Sequence, residues 1–395
     1  MKFLLAQINP VVGDLEGNAK KILNIASKAS SISADFVLTP ELSLWGYPAN
    51  DLLFKKNLIK NQYQILDQLA LDINKKYGNL SISIGIAEII NDSFFPNLYN
   101  SIALVEGGEW KIIARKIILP TYEVFDEKRY FRSEEKVSVL TKEINNKTWR
   151  LGFTICEDLW VNKNIEGRGI HKKNPIFDLK KKKVDILVNL SASPYTLKKL
   201  ELRSKVSSFA AQYLQVPLIY VNQIGANDNL IFDGNSFILD KNGSKIKQLK
   251  SFSEDLSSWE IDQTKPEKNK FENSEMSSIF DALVLGVKDY AKKCGFKTAL
   301  VGLSGGIDSA LVSAIATAAL GSDNVYCVSM PSKWSSSHSK SDAKDLARRL
   351  KISFKSIPIE NLMTSFEESF IKTISFEMAE ITNQNIQSRI RGTLL

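Results

Sequence analysis

Residues 151–160 read LGFTICEDLW. A β-branched run stops at Cys156, and two carboxylates, Glu157 and Asp158, follow it directly. The pattern predicts a strand that ends in a turn carrying a thiol. Acidic neighbours hold a thiol protonated, the wrong state for attack. Free cysteine, with a pKa of about 8.5, is only a few per cent thiolate at neutral pH. If Cys156 is a nucleophile, other residues must activate it.

Working outward, ADFVLTPE (34–41), LSISIGIAEI (80–89), IALVEGGEWKIIARK (102–116), VDILVNLSA (184–192) and VPLIYVNQI (216–224) read as further strands. Residues 18–33, 51–77 and 198–214 carry apolar positions three and four apart and read as helices. FILDKNGSKI (237–246) reads as a hairpin turned at Asn-Gly. Such a mixture predicts an α/β domain of layered sheets and helices over residues 1–262.

Histidine is the usual thiol activator, and the chain has two. His171 lies in the polar run RGIHKKNP and His338 lies far along the chain, so a Cys-His pair has little support. Strand ends offer other helpers. Glu41 ends ADFVLTPE and Lys116 ends IIARK. In a layered sheet, neighbouring strand ends converge on one edge. A carboxylate there can take the thiol proton, and an ammonium can lower the thiol pKa and stabilise an oxyanion. Taken singly, the three residues also read as a core thiol, a solvated cap and an edge charge.

The chain has 395 residues, 44% of them apolar, which suits two globular domains. No apolar run reaches the roughly 20 residues of a membrane helix, and MKFLLAQINP reads as a first strand and not as a signal peptide. The three cysteines, Cys156, Cys294 and Cys327, have no metal-like spacing and form no disulfide set, so the expected location is a reducing cytoplasm. The net charge of +8 is spread over scattered lysines. Without aromatic-basic interleaving, a solvated surface or an anionic small ligand fits better than nucleic acid.

Residues 263–275 are polar and aperiodic and read as a linker. Beyond them a helix over 276–294, the strand KTALVG, a helix from Asp308, the strand VYCVSMP, a helix over 341–350 and FKSIPIE predict a doubly wound parallel sheet over residues 276–395. LVGLSGGIDSALV (300–312) has the form strand, glycine-rich turn, helix. Its backbone amides and helix N-terminus form an anion nest. It has no Gly-Lys-Ser/Thr and is not a dinucleotide G-x-G-x-x-G loop. Helix capping by Asp308 and Ser309 is the plainer reading of those two residues.

TPELSLWGYP, KIILPTYEVFDEKRYF and GFTICEDLW closely resemble the nitrilase (carbon–nitrogen hydrolase) superfamily over about residues 1–260. That resemblance implies an αββα sandwich with Glu41 as general base, Lys116 as oxyanion cation, Cys156 as the acylated nucleophile and Glu127 orienting Lys116. NLSASPYTLKKLELR resembles the segment that grips glutamine in glutamine-using members, which implies Ser193 and Lys199, with Tyr122, at the substrate's amino and carboxylate ends. Lys198 stands where that pattern has glycine. No cysteine follows Met1, against the glutaminase type built on a terminal amine.

The glycine-rich loop of residues 300–312 resembles the pyrophosphatase-type ATP loop. The likeness implies that Gly302, Leu303, Ser304, Gly305, Gly306, Ile307, Asp308 and Ser309 bind ATP, with Asp308 placing Mg²⁺. SMPSKWSSSHSKSDAKDLARRL and NQNIQSRIRG resemble the NAD synthetase family in its glutamine-dependent two-domain form. By that likeness Asn385 contacts deamido-NAD, with Arg389 and Arg391 near it. The implied chemistry is ammonia release from glutamine, a tunnel for the ammonia, and ATP-dependent amidation of deamido-NAD. The partners are small molecules, and a homo-oligomer is expected. The pattern stops at Leu395, where family members continue. A fragment, a decayed form and a split product completed by a second chain are the open alternatives. Rival readings are a stand-alone amidase with a vestigial nucleotide domain and a non-catalytic ATP-sensing or scaffold module.

Overall fold

The structure is a computed structural model that describes residues 1–90, 95–161, 173–263, 266, 274–374 and 379–395. His171 and most of the expected linker lie outside the described residues. The chain forms two compact units, Met1–Ala282 and Leu283–Leu395.

The first unit opens with β1 (Lys2–Gln7), α1 (Leu15–Ser31), β2 (Phe36–Leu38), α2 (Lys56–Tyr77), β3 (Ser81–Ile89), β4 (Leu98–Glu106) and β5 (Glu109–Arg115). It continues through β6 (Ser138–Ile144), β7 (Lys147–Ile155), α3 (Pro175–Lys181), β8 (Ile186–Ser191), α4 (Lys199–Leu214) and β9 (Leu218–Asn222). It closes with β10 (Ile224–Asn227), β11 (Leu230–Asp233), β12 (Phe237–Leu239), β13 (Lys245–Gln248), β14 (Asp255–Glu260) and the start of α5 (Glu275–Lys293). Two six-stranded sheets result, in the orders β14-β1-β2-β3-β4-β5 and β13-β12-β9-β8-β7-β6.

Alternation along the strands builds the layers. Phe3, Leu5, Phe36 and Leu38 of the first sheet meet Phe153, Ile155, Val188 and Val221 of the second in one core. Leu4, Ala6 and Val37 face the other way and pack with Ile22 and Ile25 of α1 and Leu66 and Ile73 of α2. On the outer face of the second sheet, Leu187 and Leu218 pack with Leu179 of α3 and Val206 and Ala210 of α4. The order of layers is helix, sheet, sheet, helix, and strands buried on both faces read as continuous apolar runs. α1 begins where Asp14 accepts the Gly17 N–H, and its buried stripe runs Leu15, Ala19, Ile22, Ala26, Ala29.

Residues 102–116, expected as one strand, are instead two antiparallel strands, β4 and β5. Gly107 and Gly108 supply the two positive φ angles of the turn between them. The expected helix 51–77 is a 3₁₀ turn, Asn50–Phe54, followed by α2, with Lys55 extended between them. The Asn-Gly hairpin forms as β12 paired antiparallel with β13.

The second unit holds the rest of α5, then β15 (Ala299–Gly302), α6 (Ile307–Leu320), β16 (Val325–Ser329), α7 (Ser337–Leu350), β17 (Ser353–Ser356), α8 (Glu360–Ile374) and α9 (Glu380–Leu394). Its sheet is all parallel in the order β15-β16-β17. α6 and α7 cover one face, where Ala316, Ala343 and Ala347 pack on Val301, Val325 and Cys327. α8 and α9, absent from the sequence reading, add a smaller cluster of Met330, Ile359, Met363 and Ile390.

Two positions in the first unit are tightly constrained. A Cβ at Gly85 would lie 2.2 Å from the Leu42 nitrogen and 2.7 Å from the Pro40 oxygen, both backbone. Arg203 and Asp233 form a buried ion pair, with Nη1 2.8 and 3.0 Å from the two carboxylate oxygens. We expect Gly85→Ala to cost about 1–3 kcal/mol by overpacking. Arg203→Ala should cost about 3–5 kcal/mol, because it strands a buried carboxylate. Urea unfolding midpoints check both, and a midpoint unchanged from the parent's would refute either.

Candidate active site

Topology gathers the strand ends. β2 and β3 run parallel, β4 reverses, and β5 reverses again, so β2 and β5 leave the first sheet on the same edge. In the second sheet β7, β8 and β9 are mutually parallel. Glu41 follows β2, Lys116 follows β5, Cys156 follows β7 and Ser193 follows β8.

The Lys116 Nζ donates to Glu41 Oε1 and to Glu127 Oε1, each at 2.6 Å. All three side chains are buried. Glu41 is held at both oxygens: Asn100 Nδ2 donates to Oε1 at 2.8 Å and the Ala192 N–H to Oε2 at 2.9 Å. The Tyr47 hydroxyl donates to Glu127 Oε1 at 2.9 Å. Cys156 is 6% exposed. It adopts φ +45°, a left-handed conformation rare for a residue with a side chain, at the sharp turn out of β7.

Electrostatics follow from this enclosure. Burial pushes the Cys156 thiol well above its ordinary value, the Glu41 charge adds to the rise, and Lys116 only partly opposes it. Lys116 thus opposes the acidic neighbours only in part. Glu157 contributes to the rise. Asp158 instead turns its carboxylate to backbone, accepting the N–H groups of Ile155, Ile117 and Ile118 at 3.0, 3.1 and 2.8 Å. Burial would lower the Lys116 ammonium, but the Glu127 and Glu41 charges outweigh it and hold it well above the usual lysine value. Burial also raises Glu127, against the pull of Lys116, to about 7.

The residues matched to the glutamine-gripping segment lie close by. The Tyr122 hydroxyl donates to Glu157 Oε2 at 2.9 Å. Lys199 opens α4, with its ammonium 4.9 Å from the centre of the Trp160 ring. Ser193 is buried and fixed from three sides. Its N–H donates to Asn222 Oδ1 at 2.9 Å, and Arg203 donates to its hydroxyl at 3.1 Å and its carbonyl at 2.7 Å. Sequence reasoning missed Asn100, Tyr47, Asn222 and the Arg203–Asp233 pair. The available signal was a polar residue inside an apolar run, as with Asn100 in LYNSIALV.

In the second unit the loop between β15 and α6 folds on its own serines. The Ser304 N–H donates to Ser309 Oγ at 3.2 Å, the Gly306 N–H to Ser304 Oγ at 3.2 Å, and Ser309 Oγ to the Gly306 carbonyl at 3.0 Å. Gly305 has φ +88°, and a Cβ there would meet the Ser339 carbonyl oxygen at 2.1 Å. Gly302, Leu303 and Ser304 border a cavity of about 320 Å³ with Met330, Ser339 and Lys340. Arg391 also lines it and donates to the Met330 carbonyl at 3.1 Å. Ile307 and Asp308 are exposed in the first turn of α6. Asn385 and Arg389 are exposed on α9 and stand outside the residues bordering this cavity. Asp308 is an exposed carboxylate at the head of α6 beside the glycine-rich turn, which fits Mg²⁺, an ion that takes one or two carboxylates plus substrate phosphates. Among the described residues no group of three or more His, Cys, Asp or Glu could hold a metal ion by itself. No described helix is long and apolar enough to cross a membrane.

Comparison with known proteins matches both units. Residues 5–266 fit the carbon–nitrogen hydrolase family and residues 279–395 the NAD synthase family. A glutamine-dependent NAD(+) synthetase of Synechocystis sp. is 41% identical over 99% of this chain and 70% of its own length. That of Acinetobacter baylyi is 35% identical over 100% of this chain and 69% of its own. The solved glutamine-dependent NAD+ synthetase of Acinetobacter baumannii, in complex with ADP, is 34% identical with a TM-score of 0.88, covering 100% of this chain and 71% of that one. An amidase of the nitrilase superfamily from Nesterenkonia shares the fold of the first unit, with a TM-score of 0.53, 18% identity and coverage of 65% of this chain and 89% of its own. With both halves matched in the same order and one relative 41% identical across nearly the whole chain, this protein belongs to the glutamine-dependent NAD(+) synthetase family, a carbon–nitrogen hydrolase domain followed by an NAD synthase domain.

Proposed function

We propose that the chain hydrolyses glutamine to ammonia at Cys156 and uses the ammonia for ATP-dependent amidation of deamido-NAD to NAD. Residues 1–262 form the glutaminase, 263–275 the linker and 276–395 the ATP-loop domain. The observation that carries the reading is the buried chain Glu41–Lys116–Glu127, linked at 2.6 Å, in electrostatic contact with the Cys156 thiol.

Glu41 takes the thiol proton as the sulfur attacks the side-chain amide carbon of glutamine. The Lys116 ammonium stabilises the oxyanion that forms, in a site dry enough for that charge to count. Glu41 returns the proton to the departing ammonia, leaving a thioester. Water, deprotonated by Glu41, then attacks the thioester and frees glutamate and the thiol. Glu127 keeps Lys116 charged and aimed. Tyr122, Ser193 and Lys199 bind the substrate's amino and carboxylate ends, and Lys199 supplies the cation that a carboxylate requires.

In the second unit the loop from Gly302 to Ser309 holds the ATP phosphates, and Asp308 helps to hold Mg²⁺. The metal would supply charge neutralisation at the phosphates. The nicotinate carboxylate of deamido-NAD, contacted by Asn385, attacks the α-phosphate and displaces pyrophosphate. Ammonia then displaces AMP. The substrates are small molecules. A homo-oligomer is part of this proposal.

Cys156→Ala should abolish glutamine turnover while leaving ammonia-driven NAD formation at the parent's rate. Glu41→Gln should lower the glutaminase rate about 10²–10⁴-fold, the usual contribution of a general base. Glutamate release, with and without ATP and deamido-NAD, measures both. Retained turnover in Cys156→Ala would overturn the assignment.

A further inference from the structure

The carboxylate of Asp158 is buried and takes no part in the ion pairs of Lys116. Its Oδ1 accepts the N–H groups of Ile117 and Ile118, the two residues after Lys116. Its Oδ2 accepts the N–H of Ile155, the residue before Cys156. We propose that Asp158 is a positioning residue that clamps the Lys116 segment to the Cys156 elbow and so fixes the separation of ammonium and sulfur. The proposal deepens the reading of Cys156 as nucleophile and Lys116 as its oxyanion partner, and it rests on that reading.

The argument comes from the sheets. Lys116 is tied to the first sheet: its N–H donates to the Asn100 carbonyl of β4 at 2.8 Å. Cys156 is tied to the second: β7 pairs with β6 and β8, and Asn189 Nδ2 of β8 reaches the Cys156 carbonyl at 3.4 Å. The two catalytic segments therefore belong to different sheets, with no ladder bond between β5 and β7. Apolar packing between sheets is non-directional and sets the spacing only loosely. One carboxylate with three N–H donors, drawn from both segments, sets it by direction as well as distance. The same contact holds Ile155 at the point where the chain enters the positive φ of Cys156. A displacement of about 1 Å in such a site costs on the order of 10²-fold in rate.

Asp158→Asn keeps the shape but replaces one acceptor oxygen by a donor, opposed to N–H groups whichever way the amide faces. At pH 8 we expect glutamine kcat to fall about 10–100-fold, with KM within about twofold of the parent. Alkylation of Cys156 by iodoacetamide, followed by peptide mass spectrometry to separate it from Cys294 and Cys327, should slow by a similar factor. Ile73→Ala is the control for lost stability, because it empties a buried position near the C-terminus of α2, at the end of the sheet opposite Glu41 and Lys116. It should lower the unfolding midpoint and leave both rates within twofold. Asp158→Glu, which retains the acceptors but shifts them by one methylene, should also lower kcat with KM preserved, and it decides the matter if Asp158→Asn does not fold. Parent-like rates in both Asp158 variants would overturn the proposal, as would equal losses in Ile73→Ala. Should the parent hydrolyse no glutamine, the proposed function fails while the alkylation rates still test the clamp.

Discussion

A single ammonium held between two carboxylates out of reach of water governs the first unit. Stripping Lys116, Glu41 and Glu127 of solvent costs several kcal/mol per ion, and only close pairing and further hydrogen bonds offset it. Both contacts to Lys116 are 2.6 Å, and Asn100, the Ala192 amide and Tyr47 supply further donors to the carboxylates. Asn100 lies in β4 of the first sheet and Ala192 directly follows β8 of the second. The sandwich therefore cannot shear or change register without stranding a buried charge, and the demand for paired charge fixes the geometry that apolar packing leaves loose.

Much of this was legible in the sequence. Glu41, Lys116 and Cys156 each follow a strand-like run, which made them candidates for one edge, and the resemblance to the carbon–nitrogen hydrolases singled them out. Glu127 was legible only through the family's motif, because it sits in a 3₁₀ turn, Glu127–Arg129, where no periodicity marks a buried side chain. Asn100, Asn222 and the Arg203–Asp233 pair depend on contacts between residues far apart in the chain, which no local pattern encodes. The Gly107–Gly108 turn was legible, because a Gly-Gly pair between two strand-like runs signals a hairpin, and the reading of residues 102–116 as one strand passed over it. The upward push on the Cys156 thiol comes from enclosure, and enclosure follows only from the packed sheets.

The second unit solves a different electrostatic problem with less material. The loop between β15 and α6 has no lysine, so its anion-facing groups are backbone amides and the N-terminus of α6. The serines shape that loop. Ser304 and Ser309 bond to each other at 3.0 Å and to the flanking backbone, so the turn is preorganised before any anion arrives. Gly305 lets it pass against the Ser339 backbone, which any side chain would block.

Burial and the Glu41 charge push the Cys156 thiol up, yet they do not bar its attack. Moving the Cys156 proton to Glu41 leaves the buried cluster's total charge unchanged, since one acid gains the proton that its neighbour loses. Burial penalises net charge in a poorly solvated region far more than it penalises such an internal transfer. The same surroundings that raise the isolated thiol therefore add little to the barrier for concerted transfer and attack. Meanwhile Lys116 already stands charged beside the position where the oxyanion must form. Glu127 is the second carboxylate on that ammonium, and burial raises it to about 7 against the pull of Lys116.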